Sequence, residues 1–158
     1  MAKPSFHTPM SKDDAPFSWP VRVYWEDTDA GGVVFYANYL KFFERARTEW
    51  LRGLGQSQQA LREQTGAIFI VSHTQVRHLA PARLDDELRI TVQLTDCGRA
   101  SMSFAQQAWC GPRLLAEGTI RVGCVDASSW RLRRMPDLVL ALVAPSPHLT
   151  AAAPTTEP

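Results

Sequence analysis

Residues 25–39 read WEDTDAGGVVFYANY and hold three carboxylates, Glu26, Asp27 and Asp29, within four positions. A glycine pair, Gly31-Gly32, follows, and then an apolar-aromatic run. A carboxylate on a connection just ahead of a helix can act as a nucleophile or a general base. The helix start adds unpaired N–H groups and a partial positive dipole, which polarise a carbonyl. Together these groups suit acyl transfer or hydrolysis. The same residue types also make helix caps and tight turns, and carboxylates bind metals. By residue type and spacing alone, capping, catalysis and metal binding all stay open. A metal would need further ligands. His73 and His78 lie five apart on one strand, so they point to opposite faces and read as ordinary strand residues.

The elements that must position this segment follow from periodicity. Residues 19–25 alternate Val21, Val23 and Trp25 against Arg22 and Tyr24, which predicts a half-buried strand. From Tyr36 the apolar residues fall at helical spacing through Tyr39, Leu40, Phe43, Ala46, Trp50 and Leu51. Gly53 and Gly55 supply stop signals. A short second helix is expected over 57–64. Strands are expected over 67–79, 87–97, 99–110 and 113–127, with glycine-containing turns between the last three. One strand, one long helix and four closely spaced strands predict an antiparallel meander. The helix has one strongly apolar face, so the sheet must cover it. The expected class is α+β: a curved antiparallel β-sheet wrapped around one long central α-helix. Phe35, Phe42, Phe43 and Trp50 look like an acyl pocket, but a wrapped helix needs such residues for its core in any case.

The 158 residues suffice for one domain with a sizeable core. The formal net charge is +1, and the most basic run, RLRR at 131–134, reads as solvated surface. No case for nucleic-acid binding arises. No apolar run reaches the roughly 18 residues that span a bilayer, and the first residues hold no signal-peptide core. A cytoplasmic location is the expectation. Cys97, Cys110 and Cys124 have no CxxC spacing and read as reduced, partly buried thiols. Residues 1–17 and 144–158 are expected to be disordered arms around a folded domain at 18–143.

The run VYWEDTDAGGVVFYANYLKFFERARTEWLR (23–52) resembles the signature of the 4-hydroxybenzoyl-CoA thioesterase family. Within it, the branch of Tol-Pal system-associated acyl-CoA thioesterases is the most similar. The likeness continues through VRHLAPARLDDELRI (76–90), GRASMSF (98–104) and RVGCVDASSWRLRRMP (121–136). This resemblance implies the hotdog fold and hydrolysis of an acyl-CoA without metal or organic cofactor. It implies a homodimer formed by sheet-edge pairing, or a homotetramer made of two dimers. Carried over residue by residue, it puts the catalytic carboxylate on Asp29 and the carbonyl-polarising backbone N–H on Tyr36. Asp29 would attack the thioester as a nucleophile or activate water as a base. Asp27 would be a loop or cap residue. Gly32 would let the loop pass close to the acyl group, and Arg99 would hold the CoA phosphates, with Arg77 and Arg83 as weaker candidates. The pair Asp85-Asp86 reads as solvated. Many relatives in the branch carry histidine where this chain has Tyr36, which bears on acyl preference and not on the backbone contact. Two alternatives remain: a thioesterase for acyl carrier protein, and a non-catalytic acyl-CoA-binding or partner protein of a cell-envelope complex.

Overall fold

The computed structural model describes residues 15–144. Apart from 15–17 and 144, the expected arms lie outside the described residues. Phe17 already opens the first strand.

The elements in chain order are β1 (Phe17–Arg22), a 3-10 turn (Trp25–Asp27), α1 (Asn38–Gly53), α2 (Gln58–Thr65), β2 (Ala67–His78), β3 (Glu87–Cys97), β4 (Ser101–Cys110), β5 (Arg113–Asp126) and α3 (Asp137–Val143). The five strands form one antiparallel sheet in the order β1-β3-β4-β5-β2. α1 packs on its inner face. With 16 residues at about 1.5 Å each, it is roughly 24 Å long, and it buries Tyr39, Phe42, Phe43, Ala46 and Leu51. Leu88, Ile90 and Val92 of β3 and Met102, Phe104 and Ala108 of β4 face it. The class is α+β, as the periodicity predicts.

Four expectations need correction. The meander holds only for β3-β4-β5. β2 pairs with β5 and not with its successor β3, because residues 79–86 are a crossover and not a hairpin turn; β1 takes the free edge of β3. The first strand ends at Arg22, so Trp25 leaves the predicted alternation and is 80% exposed. The cause is local: the Asp27 carboxylate takes the Tyr24 N–H and folds 25–27 into a 3-10 turn. α1 starts at Asn38, two residues after Tyr36, and the Phe35 N–H just ahead of it goes to Asp27 O at 2.8 Å. The short helix α3 was not foreseen. Its Val139, with Met135 just before it, closes one end of the core.

One close approach depends on a missing side chain. A β-carbon on Gly118 of β5 would stand 2.6 Å from Gln75 O and 3.4 Å from the Phe43 ring. Beneath the sheet, Gln106 of β4 accepts from Arg47 Nη1 at 2.7 Å and donates to Phe43 O at 3.1 Å, so α1 is locked to β4 through buried polar groups.

Candidate active site

The carboxylate-rich segment lies where β1 leaves the sheet and the chain turns into α1. Thr28 and Val34 form an antiparallel bridge, and the loop between them is closed by Asp29 N–H to Val33 O at 2.9 Å and Gly32 N–H to Asp29 O at 3.0 Å. Val34 N–H is taken by Ala82 O at 2.9 Å, which ties the loop to the crossover. Gly32 sits at φ +76° with nothing within 4 Å of a notional β-carbon, so within one chain its need is conformational and not steric.

The three acids separate sharply. Asp27 is 4% exposed and caps the Tyr24 N–H, the structural part expected of it. Its backbone oxygen also takes the Asn38 side-chain amide at 3.0 Å. Glu26 is exposed. Asp29 is exposed, and its Oδ1 accepts the Gly31 N–H at 2.8 Å. Its Oδ2 has no partner among the described residues. Asp29 is thus a fixed carboxylate with one oxygen facing out.

Tyr36 precedes the helix, and its N–H has no acceptor among the described residues. Ala37 at the cap position supplies no side-chain cap, and the first turn carries no acid, so the positive end of a 16-residue helix is left uncompensated here. The Tyr36 ring is 66% exposed. Tyr39, one turn on, is buried, and its hydroxyl accepts the Ala82 N–H at 3.2 Å. Burial pushes the Tyr39 phenol above its ordinary value; the Ala82 bond works the other way, and the Asp86 charge adds to the rise.

Asp29 and Tyr36 are therefore brought to one end of the fold, but Arg99 is not. It lies beyond Cys97, past the far end of β3, with its carbonyl accepting the Met135 N–H at 2.7 Å. The 11 residues of β3, at about 3.3 Å per step, put roughly 33 Å of strand between the two ends. Arg77 pairs with Glu117 on the outer face. Asp86 Oδ2 caps the Arg83 N–H at 2.9 Å, so that carboxylate is part of the crossover and not merely solvated. Phe42 and Phe43 are core. Trp50 lines a small cavity of about 60 Å³ with Phe69, Val71, Met102 and Phe104. That cavity lies near the opposite end of α1, about 18 Å along its axis from Asn38.

His78, read from the sequence as an ordinary strand residue, is one. It ends β2 on the inner face, against the rings of Tyr36 and Tyr39, with centroids at 6.2 and 5.3 Å. Its position five residues after His73 does place it on the opposite face, but only the fold puts Tyr36 beside it. Among the described residues no three His, Cys, Asp or Glu side chains gather as a metal site, and no helix is long and apolar enough to cross a membrane. The three cysteines are free, and burial pushes the Cys97 and Cys124 thiols up.

An antiparallel sheet curled around one central helix, with a carboxylate loop at the helix start, defines a hotdog-fold protein. Residues 23–143 match the Thioesterase-like superfamily, and the chain belongs to that family. It is 42% identical over 128 residues to the acyl-CoA thioesterase YbgC of Haemophilus influenzae, covering 81% of this chain and 94% of that one. It is 47% identical over 126 residues to the acyl-CoA thioester hydrolase YbgC of Escherichia coli O6:H1, covering 79% and 93%. Among solved structures, a probable thioesterase from Bartonella henselae superposes with a TM-score of 0.73 at 31% identity, over 77% of this chain and all of that one. A 1,4-dihydroxy-2-naphthoyl-CoA thioesterase from Synechocystis, at 20% identity and a TM-score of 0.77, shares the fold.

Proposed function

We propose that the chain hydrolyses acyl-CoA thioesters to the free acid and CoA. The observation that carries this reading is the exposed Asp29 carboxylate, fixed by Gly31 N–H at 2.8 Å, on the connection that leads through the unpaired Tyr36 N–H into α1. The carbonyl carbon is attacked by Asp29 itself or by water that Asp29 deprotonates. The carbonyl oxygen becomes an oxyanion, held by the Tyr36 N–H and the helix dipole. Such a donor is typically worth about 2.7–4 kcal/mol. The thiolate of CoA then leaves and takes up a proton; where Asp29 itself attacked, water next cleaves the acyl-Asp29 anhydride, releasing the acid and restoring the carboxylate. Relatives named as acyl-CoA thioesterases at 42% and 47% identity support the substrate class.

The working unit in this reading is a homodimer, or a tetramer of two such dimers. β2 is an edge strand of 12 residues, with Ile70 and Val71 exposed on it, and a long uncovered edge is a template for pairing. Antiparallel pairing of two β2 edges sets the Ala67 end of one copy beside the His78 end of the other. Arg99 belongs to the Ala67 end of the sheet, so it would serve the CoA phosphates at the partner's Asp29 and not its own. Gly32 keeps the loop close to the acyl group. A cytoplasmic site of action beside the Tol-Pal system rests on the branch resemblance.

The test is thiol release from short, long and aromatic acyl-CoA substrates by wild type and Asp29→Asn. Turnover of at least one substrate, falling about 10²–10⁴-fold in a folded Asp29→Asn, supports the reading. No release from any CoA ester by folded protein rejects it and turns attention to carrier-bound acyl groups or a binding role.

A further inference from the structure

α1 and β2 meet along one seam that starts beside Tyr36. Tyr39, Phe43 and Arg47 recur at every fourth position and share one face of α1. Tyr39 packs against the His78 ring at 5.3 Å. Phe43 and Val76 flank Gly118, whose notional β-carbon would lie 3.4 Å from the first and 3.0 Å from the second. Arg47 and Val71 line the same cavity of about 60 Å³. Moving up α1 therefore means moving back along β2, from His78 through Val76 to Val71. The β2 side of the seam is open: Val71 is 46% exposed, and Thr74 and His78 are exposed as well. Together the described residues make a trough, with Tyr36 and His78 at its head and the cavity at its foot. Trp50, Phe69, Val71, Met102 and Phe104 give the foot apolar walls. The two charges in the wall, Arg47 and Glu44, are paired with each other, and Arg47 also holds Gln106. A void of about 10–15 Å³ holds one water, so this cavity admits the last few carbons of a chain and no fused ring system.

We propose that the acyl chain of the substrate lies in this trough and ends in the cavity, and that Val71, on the open side of the cavity, sets the chain length. This rests on the reading of Asp29 and Tyr36 as the catalytic pair. Arg47 stands nine positions after Asn38, which is about 13.5 Å along the helix axis. An extended chain advances about 1.2 Å per bond, because three backbone bonds span about 3.3–3.6 Å. The trough therefore fits an unbranched acyl group of about ten to twelve carbons. Shorter chains leave the cavity unfilled, and longer ones overrun it.

The experiment measures kcat/KM for straight-chain acyl-CoA substrates from acetyl to hexadecanoyl. It compares wild type, Val71→Phe and Val71→Leu, with Asp29→Asn and thermal midpoints alongside. Each methylene that leaves water is worth up to about fourfold, so the wild-type value should climb about two- to fourfold per carbon. It should peak at about ten to twelve carbons and fall beyond. Val71→Phe puts a ring into the cavity. It should cut the dodecanoyl value by about 10-fold or more, because several carbons lose their burial, and leave the butanoyl value within about twofold. Val71→Leu adds one methylene and should move the peak by about one carbon; it decides the matter if Val71→Phe melts early. A wild-type profile that is flat or peaks at butanoyl or below overturns the proposal. So does a Val71→Phe profile that is unchanged, or lowered alike at every length. Those outcomes leave thioester hydrolysis standing. An active Asp29→Asn, or a wild type that hydrolyses no CoA ester, overturns the catalytic reading and the proposal with it.

Discussion

The Asp27 carboxylate accepts the Tyr24 N–H at 2.8 Å and is almost completely buried, while Asp29 two positions on faces solvent. The two aspartates of EDTD therefore have different tasks. Asp27→Ala removes a buried cap and should cost about 1–2 kcal/mol, near the upper range for such caps. Asp29→Asn should leave stability within about 0.5 kcal/mol, as exposed substitutions usually do. Urea titration of both variants checks this pair of values, and a larger loss in Asp29→Asn than in Asp27→Ala would reverse the assignment.

Gly118→Ala should destabilise by about 1–3 kcal/mol, the usual range for overpacking. The new methyl would sit 2.6 Å from Gln75 O, a backbone atom that moves only if β2 moves away from β5. A thermal midpoint equal to wild type would show that β2 shifts without cost.

Gln106→Leu should cost about 1–3 kcal/mol for each group left unpaired. It strands the buried Arg47 Nη1 donor beneath the sheet, while the Phe43 carbonyl keeps its bond within α1. Burial already lowers the Arg47 pKa from its ordinary value, while the Glu44 charge and hydrogen bond raise it. Pairing Gln106→Leu with Arg47→Met removes the buried charge as well and should recover part of the loss. Denaturation of the single and double variants gives the coupling directly.

Stability should fall at acid pH partly through Asp126. Bonds from the Ser129 N–H, the Ser129 hydroxyl and the Ser128 N–H hold its carboxyl below the ordinary 3.8. A lowered folded value means the contribution is complete above the unfolded value and disappears as pH drops through the folded one. Asp126→Asn cannot titrate, so its midpoint should decline less steeply than that of wild type below about pH 4. Parallel slopes in that range would rule out this group as a source of acid sensitivity.

Much of the fold was legible because its causes are local. The alternation of Leu88, Ile90 and Val92, the helical spacing from Tyr39 to Leu51 and the glycine-containing turns each act within a few residues. α2 was legible too: Ser57 caps it, accepting the Ala60 N–H at 3.0 Å, and Gly66 ends it at φ +71°. α3 escaped because seven residues are too short for a period to stand out. Trp25 was misplaced because a single hydrogen bond from Tyr24 N–H to Asp27 outweighed the strand alternation.

By itself the sequence determined the element types, the wrapped-helix class and the family signature, and the resemblance in that signature supplied the candidate pair Asp29 and Tyr36, which residue types alone left open. Only the tertiary structure decided the strand order, the burial of Asp27, the packing of His78 against Tyr36 and Tyr39 and the distance of Arg99 from Asp29. The crossover at 79–86 is the physical reason. By carrying the chain from β2 across β5 and β4 to β3, it sets which residues of distant segments meet, and no local pattern of apolar and polar residues encodes that choice.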